Sequence, residues 1–174
     1  MVYRCYTYIN WWLIAITISN GVWIDMKSCF FIGHRDTPET VLQQLIAAIE
    51  RLIVEEDVGH FYVGQYGSFD RMAALSVKRL KQRYPFITLY LVLPYHPAER
   101  PMETPEGFDG TFYPPLEKVP RRYAIVRANR YMTETCNSVI CYVHHIGNTR
   151  TLLEYAQRRE KKGVLFLENL AETN

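Results

Sequence analysis

Short apolar runs alternate with amphipathic segments along most of this chain. The apolar runs predict strands at about residues 28–32, 60–63, 87–93, 138–143 and 164–167. Apolar residues at helical spacing predict helices at about residues 38–55, 69–83, 121–134 and 149–162. Because each crossover returns the chain in the same direction, this order predicts a parallel sheet. We therefore expect an α/β fold, a three-layer α/β/α domain with a five-stranded parallel sheet.

A glycine turn follows three of the predicted strands and leads directly into a helix. The turns are Gly33-His34-Arg35, the segment from Gly64 to Asp70, and Gly147-Asn148-Thr149. The C-terminal ends of parallel strands share one edge of a sheet, so we expect the turns to meet there. The long Pro- and Gly-rich connection at 94–120 starts at the same edge, and its length is typical of a lid, a binding loop or a partly disordered segment.

Side chains at the start of three helices suit helix capping. We expect Thr37 to cap the first helix with Pro38 at its first position, Ser68 to cap the second, and Thr149 to cap the fourth. Exposed backbone N–H groups at such helix starts bind anions. The turns are therefore candidate phosphate-binding positions, although none has the spacing of a dinucleotide or P-loop motif.

Several side chains at these turns suit a phosphorylated ligand. Arg35 offers a planar fork for phosphate or carboxylate, and Tyr66 offers a ring for stacking on a base or ribose. Asp70 either binds ribose hydroxyls or only stabilises the first turn of its helix, and Arg130 either faces the same edge or is solvated. The candidate ligand-binding residues are Gly33, His34, Arg35, Gly64, Tyr66, Gly67, Asp70, Arg130, Gly147, Asn148 and Thr149.

Composition narrows the class of protein. The chain has 174 residues, which suits one domain with a sizeable core, and a formal net charge of +2, which does not indicate a surface for nucleic acid. Four cysteines without a Cys-x-x-Cys pair favour reduced thiols in a cytoplasmic protein. Cys141, His144 and His145 do not make a complete ligand set, so we expect no metal site, and we expect no cofactor.

The first 25 residues differ from the rest of the chain. No charged side chain occurs between Cys5 and Ile24, yet Tyr, Thr, Asn and Ser dilute the apolar character that a membrane span needs. Residues 1–25 are interpreted as an extension upstream of a functional start at Met26, as a weak membrane or interfacial anchor, or as a signal peptide. The domain is expected over residues 26–168, followed by a tail at 169–174.

Four motifs together resemble the SLOG superfamily. They are Phe-Ile-Gly-His-Arg at 31–35, Val-Gly-Gln-Tyr-Gly-Ser-Phe-Asp at 63–70, Asn-Arg-Tyr-Met at 129–132 and Gly-Asn-Thr at 147–149. That Rossmann-like fold is shared by DNA-processing protein A and the "lonely guy" phosphoribohydrolases. The chain is most similar to the small YpsA-like branch of bacterial and phage proteins, and the resemblance covers about residues 26–168.

The resemblance implies binding of a nucleotide or nucleotide-derived small molecule at the strand edge, in a sensor or regulator. Two alternatives follow from other relatives: an N-glycosidase that cleaves nucleoside monophosphates, and a DNA-associated processing factor. Where the family has Gly-Gly-Thr, this chain has Gly147-Asn148-Thr149. In the family's Thr-x-x-Glu pattern the catalytic Glu is the third residue after Thr, but that position is Leu152 here, and Glu154 does not have the required spacing. Catalysis is therefore not favoured, no catalytic residue is assigned, and the ligand and oligomeric state stay open.

Overall fold

The computed structural model describes residues 26–172, so the interpretations of residues 1–25 lie outside the described residues. Single turns of 3-10 helix at Glu39–Val41 and Arg121–Tyr123 precede the first and third α-helices. In chain order the regular elements are β1 (Lys27–Gly33), α1 (Leu42–Glu56), β2 (Val58–Val63), α2 (Ser68–Lys81), β3 (Thr88–Val92), β4 (Gly110–Phe112), α3 (Ala124–Thr135), β5 (Ser138–Tyr142), α4 (Asn148–Glu160) and β6 (Phe166–Asn169). None of the helices in this range is long and apolar enough to cross a membrane.

The strands form one sheet in the order β4-β3-β2-β1-β5-β6, and every neighbouring pair is parallel. The expected α/β fold with a parallel sheet flanked by helices is therefore confirmed. The chain builds outward from β1 to β4 and then returns to place β5 on the other side of β1. This reversal makes the C-terminal ends of β1 and β5 a topological switch point, which is where ligands bind in open α/β sheets.

The core lies on both faces of the sheet because the central strand is apolar on both faces. Cys29 and Phe31 pack with residues of α1 and α2, whereas Phe30 and Ile32 pack with residues of α3 and α4. A strand buried on both faces reads as a continuous apolar run, and this explains why β1 was recognisable from sequence. The chain still contributes to the core after β6, where Leu170 is fully buried.

The predicted number of strands is wrong, because the sheet has six strands and not five. The additional strand, β4, has three residues and no apolar alternation that would mark it in the sequence. It is held by hydrogen bonds around Asp109, whose Oδ2 accepts the Leu89 N–H at 2.7 Å and whose own N–H donates to Leu89 O at 2.9 Å. The long connection at 94–120 therefore returns to the sheet edge and pairs with β3.

The prediction that Thr37, Ser68 and Thr149 cap helices is also wrong. The N-cap positions are occupied by Pro38, Gly67 and Gly147, and none of them makes a side-chain capping bond. Thr37 Oγ1 donates instead to His34 O at 2.8 Å, and Ser68 Oγ donates to Arg35 O at 2.7 Å. At the start of α2, the carboxylate of Asp70 reaches back to accept the Tyr66 N–H at 2.9 Å. The Thr37 hydroxyl therefore closes its own turn, whereas the Ser68 hydroxyl joins the start of α2 to the turn after β1.

Replacing Asp109 with Ala tests how β4 is attached. The variant loses the bond to Leu89 and the 2.6 Å ion pair with Lys81, so we expect the free energy of unfolding to fall by about 1–3 kcal/mol. Denaturant unfolding followed by circular dichroism measures this change, with Glu103→Ala on the same exposed connection as the control. Equal stability of the two variants would contradict this account of β4.

Candidate functional site

A cleft of about 450 Å³ opens at the C-terminal edge of the sheet, between the turns after β1 and β2, α3 and the start of α4. Most of the predicted site residues line it: Gly33, Arg35, Gly64, Tyr66, Gly67, Asp70, Arg130, Asn148 and Thr149. His34 and Gly147 are not among the lining residues. The fold therefore brings these motifs to one place, although Gly33 and Thr149 are 116 positions apart in the sequence.

Close backbone packing joins the turns after β1 and β2. A Cβ on Gly67 would lie 3.1 Å from the Cα of Arg35, so a side chain here would press on the backbone of the turn after β1. The backbone N–H of Ser68 donates to Arg35 O at 3.1 Å, and Arg35 Nε donates to Tyr66 O at 3.2 Å. Each turn therefore fixes the position of the other, and Arg35 is held at the mouth of the cleft.

Asp70 supplies the carboxylate of the cleft. Burial raises the pKa of this group to about 6, and hydrogen bonds from the backbone N–H groups of Tyr66 and Gly67 lower it only in part. A carboxyl group with that pKa exchanges its proton near neutral pH, which suits general acid–base chemistry. Its bond to Tyr66 also gives it a structural role, since it closes the first turn of α2.

The charge of the cleft is predominantly positive. Three guanidinium groups line it, those of Arg35, Arg130 and Arg158, against one carboxyl group, Asp70. Arg130 lies over the ring of Tyr155 with its Cζ 4.2 Å from the ring centroid, and its Nε donates to Glu134 at 3.0 Å. The start of α4 adds the partial positive charge of a helix N-terminus. This arrangement favours an anionic group.

Part of the cleft wall is apolar and is formed by Ile125 and Val126 of α3 and Leu152 of α4. An apolar wall beside a group of cations suits a ligand with a flat, weakly polar part and an anionic part. Sequence reasoning missed this wall together with Asn129, Thr151, Tyr155 and Arg158. Their spacing in the sequence could have identified them, because residues three and four positions apart lie on the same face of α3 or α4.

His34 lies behind the cleft in a cluster of histidines. Its buried ring stacks on His145 with 3.5 Å between centroids and meets His144 edge-on at 4.9 Å. Its Nε2 accepts the backbone N–H groups of His144 and His145 at 3.4 and 3.5 Å. Burial lowers the pKa of His34, and the neighbouring imidazoles of His145 and His144 lower it further. A neutral His34 therefore fixes the loop between β5 and α4.

Two of these histidines belong, with Asp36, to the one group in residues 26–172 whose ligand atoms come close enough to consider a metal ion. Ligand atoms of His34, Asp36 and His145 lie within 4.8 Å of one another, whereas Cys141 and His144 are not part of the group. The two stacked rings are inclined by only 18°, so their lone pairs do not converge on a common point. The geometry therefore fits a histidine stack better than a coordination site.

Comparison with protein-family models finds no match to this chain, and comparison with curated proteins finds none either. The chemistry of the cleft is therefore what supports a function.

Acidification should weaken the histidine cluster. The pKa of His34 is lowered from its ordinary 6.5 in the folded protein, so its contribution to stability is present above that pH and is lost as the pH falls. We expect the melting temperature to drop less between about pH 7.5 and about pH 5 in His34→Gln than in the parent. His96→Gln, at an exposed histidine, is the control, and an unchanged drop in His34→Gln would contradict the role given to this ring.

Proposed function

We propose that this protein binds a nucleotide or nucleotide-derived ligand in the cleft, and that it acts as a sensor or regulator. The observation that carries the proposal is the convergence of two glycine turns and a helix start on one cleft whose cations outnumber its carboxyl groups three to one. Backbone N–H groups at such turns and helix starts suit a phosphate. The sequence resemblance to the SLOG superfamily points to the same class of ligand.

The cleft offers separate places for the parts of a nucleotide. Arg35 and the first turn of α4 suit the phosphate, because both present N–H donors to the cleft. The apolar wall of Ile125, Val126 and Leu152 suits a base. Asp70 suits the ribose hydroxyls because its carboxylate accepts hydrogen bonds, and the cleft volume is that of a small-molecule site.

A thermal-shift titration tests the proposal. Adenosine monophosphate, cyclic nucleotides and ADP-ribose are the probes, and at least one should raise the melting temperature with increasing concentration. Adenosine should act more weakly than its monophosphate, because the cations of the cleft recognise the phosphate. We expect Arg35→Ala to weaken binding about tenfold or more.

Arg79→Ala is the matched control for Arg35→Ala. Arg79 is also exposed, but it lies in the last turn of α2, at the opposite edge of the sheet. If no nucleotide stabilises the protein, or if both arginine variants bind equally well, the proposed function is wrong. Binding to single-stranded DNA that weakens steeply with salt would favour the DNA-associated alternative instead.

One observation favours hydrolysis of a nucleoside monophosphate as a second candidate function. The pKa of about 6 at Asp70 suits a general base that accepts a proton from water as its oxygen bonds to C1′ of the ribose. The N-glycosidic bond then breaks, and the base leaves with the bonding electron pair and takes up a proton. The absence of the Thr-x-x-Glu pattern at Leu152 counts against this reading.

Product analysis separates binding from hydrolysis. If the second candidate is right, free base appears, the rate rises with pH through about 6, and Asp70→Asn removes turnover while binding persists. Chromatography of the free base at several pH values measures this. Binding without release of base, in the parent protein, leaves the sensor as the function and rejects the hydrolase.

A further inference from the structure

A second cavity lies beside the cleft, between the outer face of α2 and the connection from β3 to β4. Its volume is about 540 Å³, which is within the usual range for small-ligand sites. Arg71, Ala74, Leu75 and Lys78 form one wall at intervals of three and four residues, so they occupy one stripe of the helix. We call this cavity the α2 groove.

The lining of the α2 groove is largely apolar. Met102 and Phe108 of the connection line it together with Leu75 of α2 and Leu91 of β3. Leu75 is 42% exposed although it lies among other apolar side chains. Removal of such an apolar surface from water lowers the free energy, which favours the binding of a ligand with an apolar part.

Two cationic side chains, Arg71 and Lys78, determine the charge of a ligand that suits the groove. Arg71 and Lys78 line it about 10 Å apart along the helix, at 1.5 Å per residue. Asp70 is the one carboxyl group in the lining, and its Oδ2 already accepts the Tyr66 N–H. The charge of the groove therefore complements an anion.

Lys78 is fixed in place before any ligand arrives. Its Nζ donates to Glu106 O at 2.6 Å and lies 4.7 Å from the ring centroid of Phe108. A cation that is already ordered loses little side-chain entropy on binding. Because an ammonium group has three N–H donors, two further donors remain beyond the bond to Glu106.

We propose that the α2 groove binds a small organic anion with an apolar body, of the aromatic or branched aliphatic carboxylate or sulfonate class. The apolar body packs on Leu75 and Phe108, and the anionic group pairs with Lys78. This site is distinct from the nucleotide cleft, although Gly64 and Asp70 contribute to the lining of both. The proposal does not rest on the proposed function.

The fluorescent probe anilinonaphthalene sulfonate has the required chemistry, since it combines an aromatic body with one sulfonate. We expect saturable binding of one probe to the full chain, weakened about tenfold or more by Leu75→Glu, which places a carboxylate inside the groove. Val54→Glu is the matched control, because Val54 is an apolar residue on α1 with 41% exposure. Cooperative thermal unfolding of each variant shows that the probe does not report a loosened core.

Two further variants decide where the probe binds and what holds it. Val126→Glu alters the nucleotide cleft and should leave probe binding unchanged. Lys78→Met keeps the apolar stem and should weaken binding about tenfold, whereas Lys78→Arg should retain it. The proposal is overturned if binding is not saturable, if Val126→Glu removes it while Leu75→Glu does not, or if Lys78→Met binds as well as the parent.

Discussion

β1 lies at the centre of a sheet in which every neighbouring pair of strands is parallel, and the candidate site depends on this position. Its pairing with β2 on one side and β5 on the other puts the turns after all three strands next to one another. The turn after β1 is then bonded in both directions: Arg35 O accepts the hydroxyl and N–H of Ser68, and His34 Nε2 accepts the N–H groups of His144 and His145. The backbones around the cleft are therefore fixed relative to one another before a ligand binds, which reduces the entropic cost of binding.

The charge of the cleft differs from the small net charge of the whole chain. A formal net charge of +2 on 174 residues gives little long-range attraction for a polyanion. Within the cleft, however, three guanidinium groups and a helix N-terminus meet one carboxyl group whose pKa is raised to about 6. Such a pocket suits the proposed small anionic ligand better than a polyanion, because exposed charges more than about 10 Å apart are largely screened by salt.

The sequence predicted those features that depend on local patterns. Buried parallel strands, amphipathic helices and glycine turns all have short-range signatures, so the fold class was predicted correctly, and most of the candidate site residues line one cleft. β4 has three residues and depends on bonds between Asp109 and Leu89, 20 positions apart, for which no pattern exists. The stack of His34 on His145 joins residues still further apart. Thr37 and Ser68 carry the right residue types for caps, yet the Thr37 hydroxyl bonds to His34 O within its own turn and the Ser68 hydroxyl bonds to Arg35 O in the turn after β1.

We propose that the turns after β1, β2 and β5 form one anion-binding cleft. Titration of the ¹⁵N-labelled full chain with adenosine monophosphate, followed by amide chemical shifts, tests it most directly. We expect the amide signals of Gly33, Gly64, Gly67 and Asn148 to shift together and to give one dissociation constant, while those of the last turn of α2 do not move. Shifts confined to other parts of the chain, or different dissociation constants for the three turns, would contradict it.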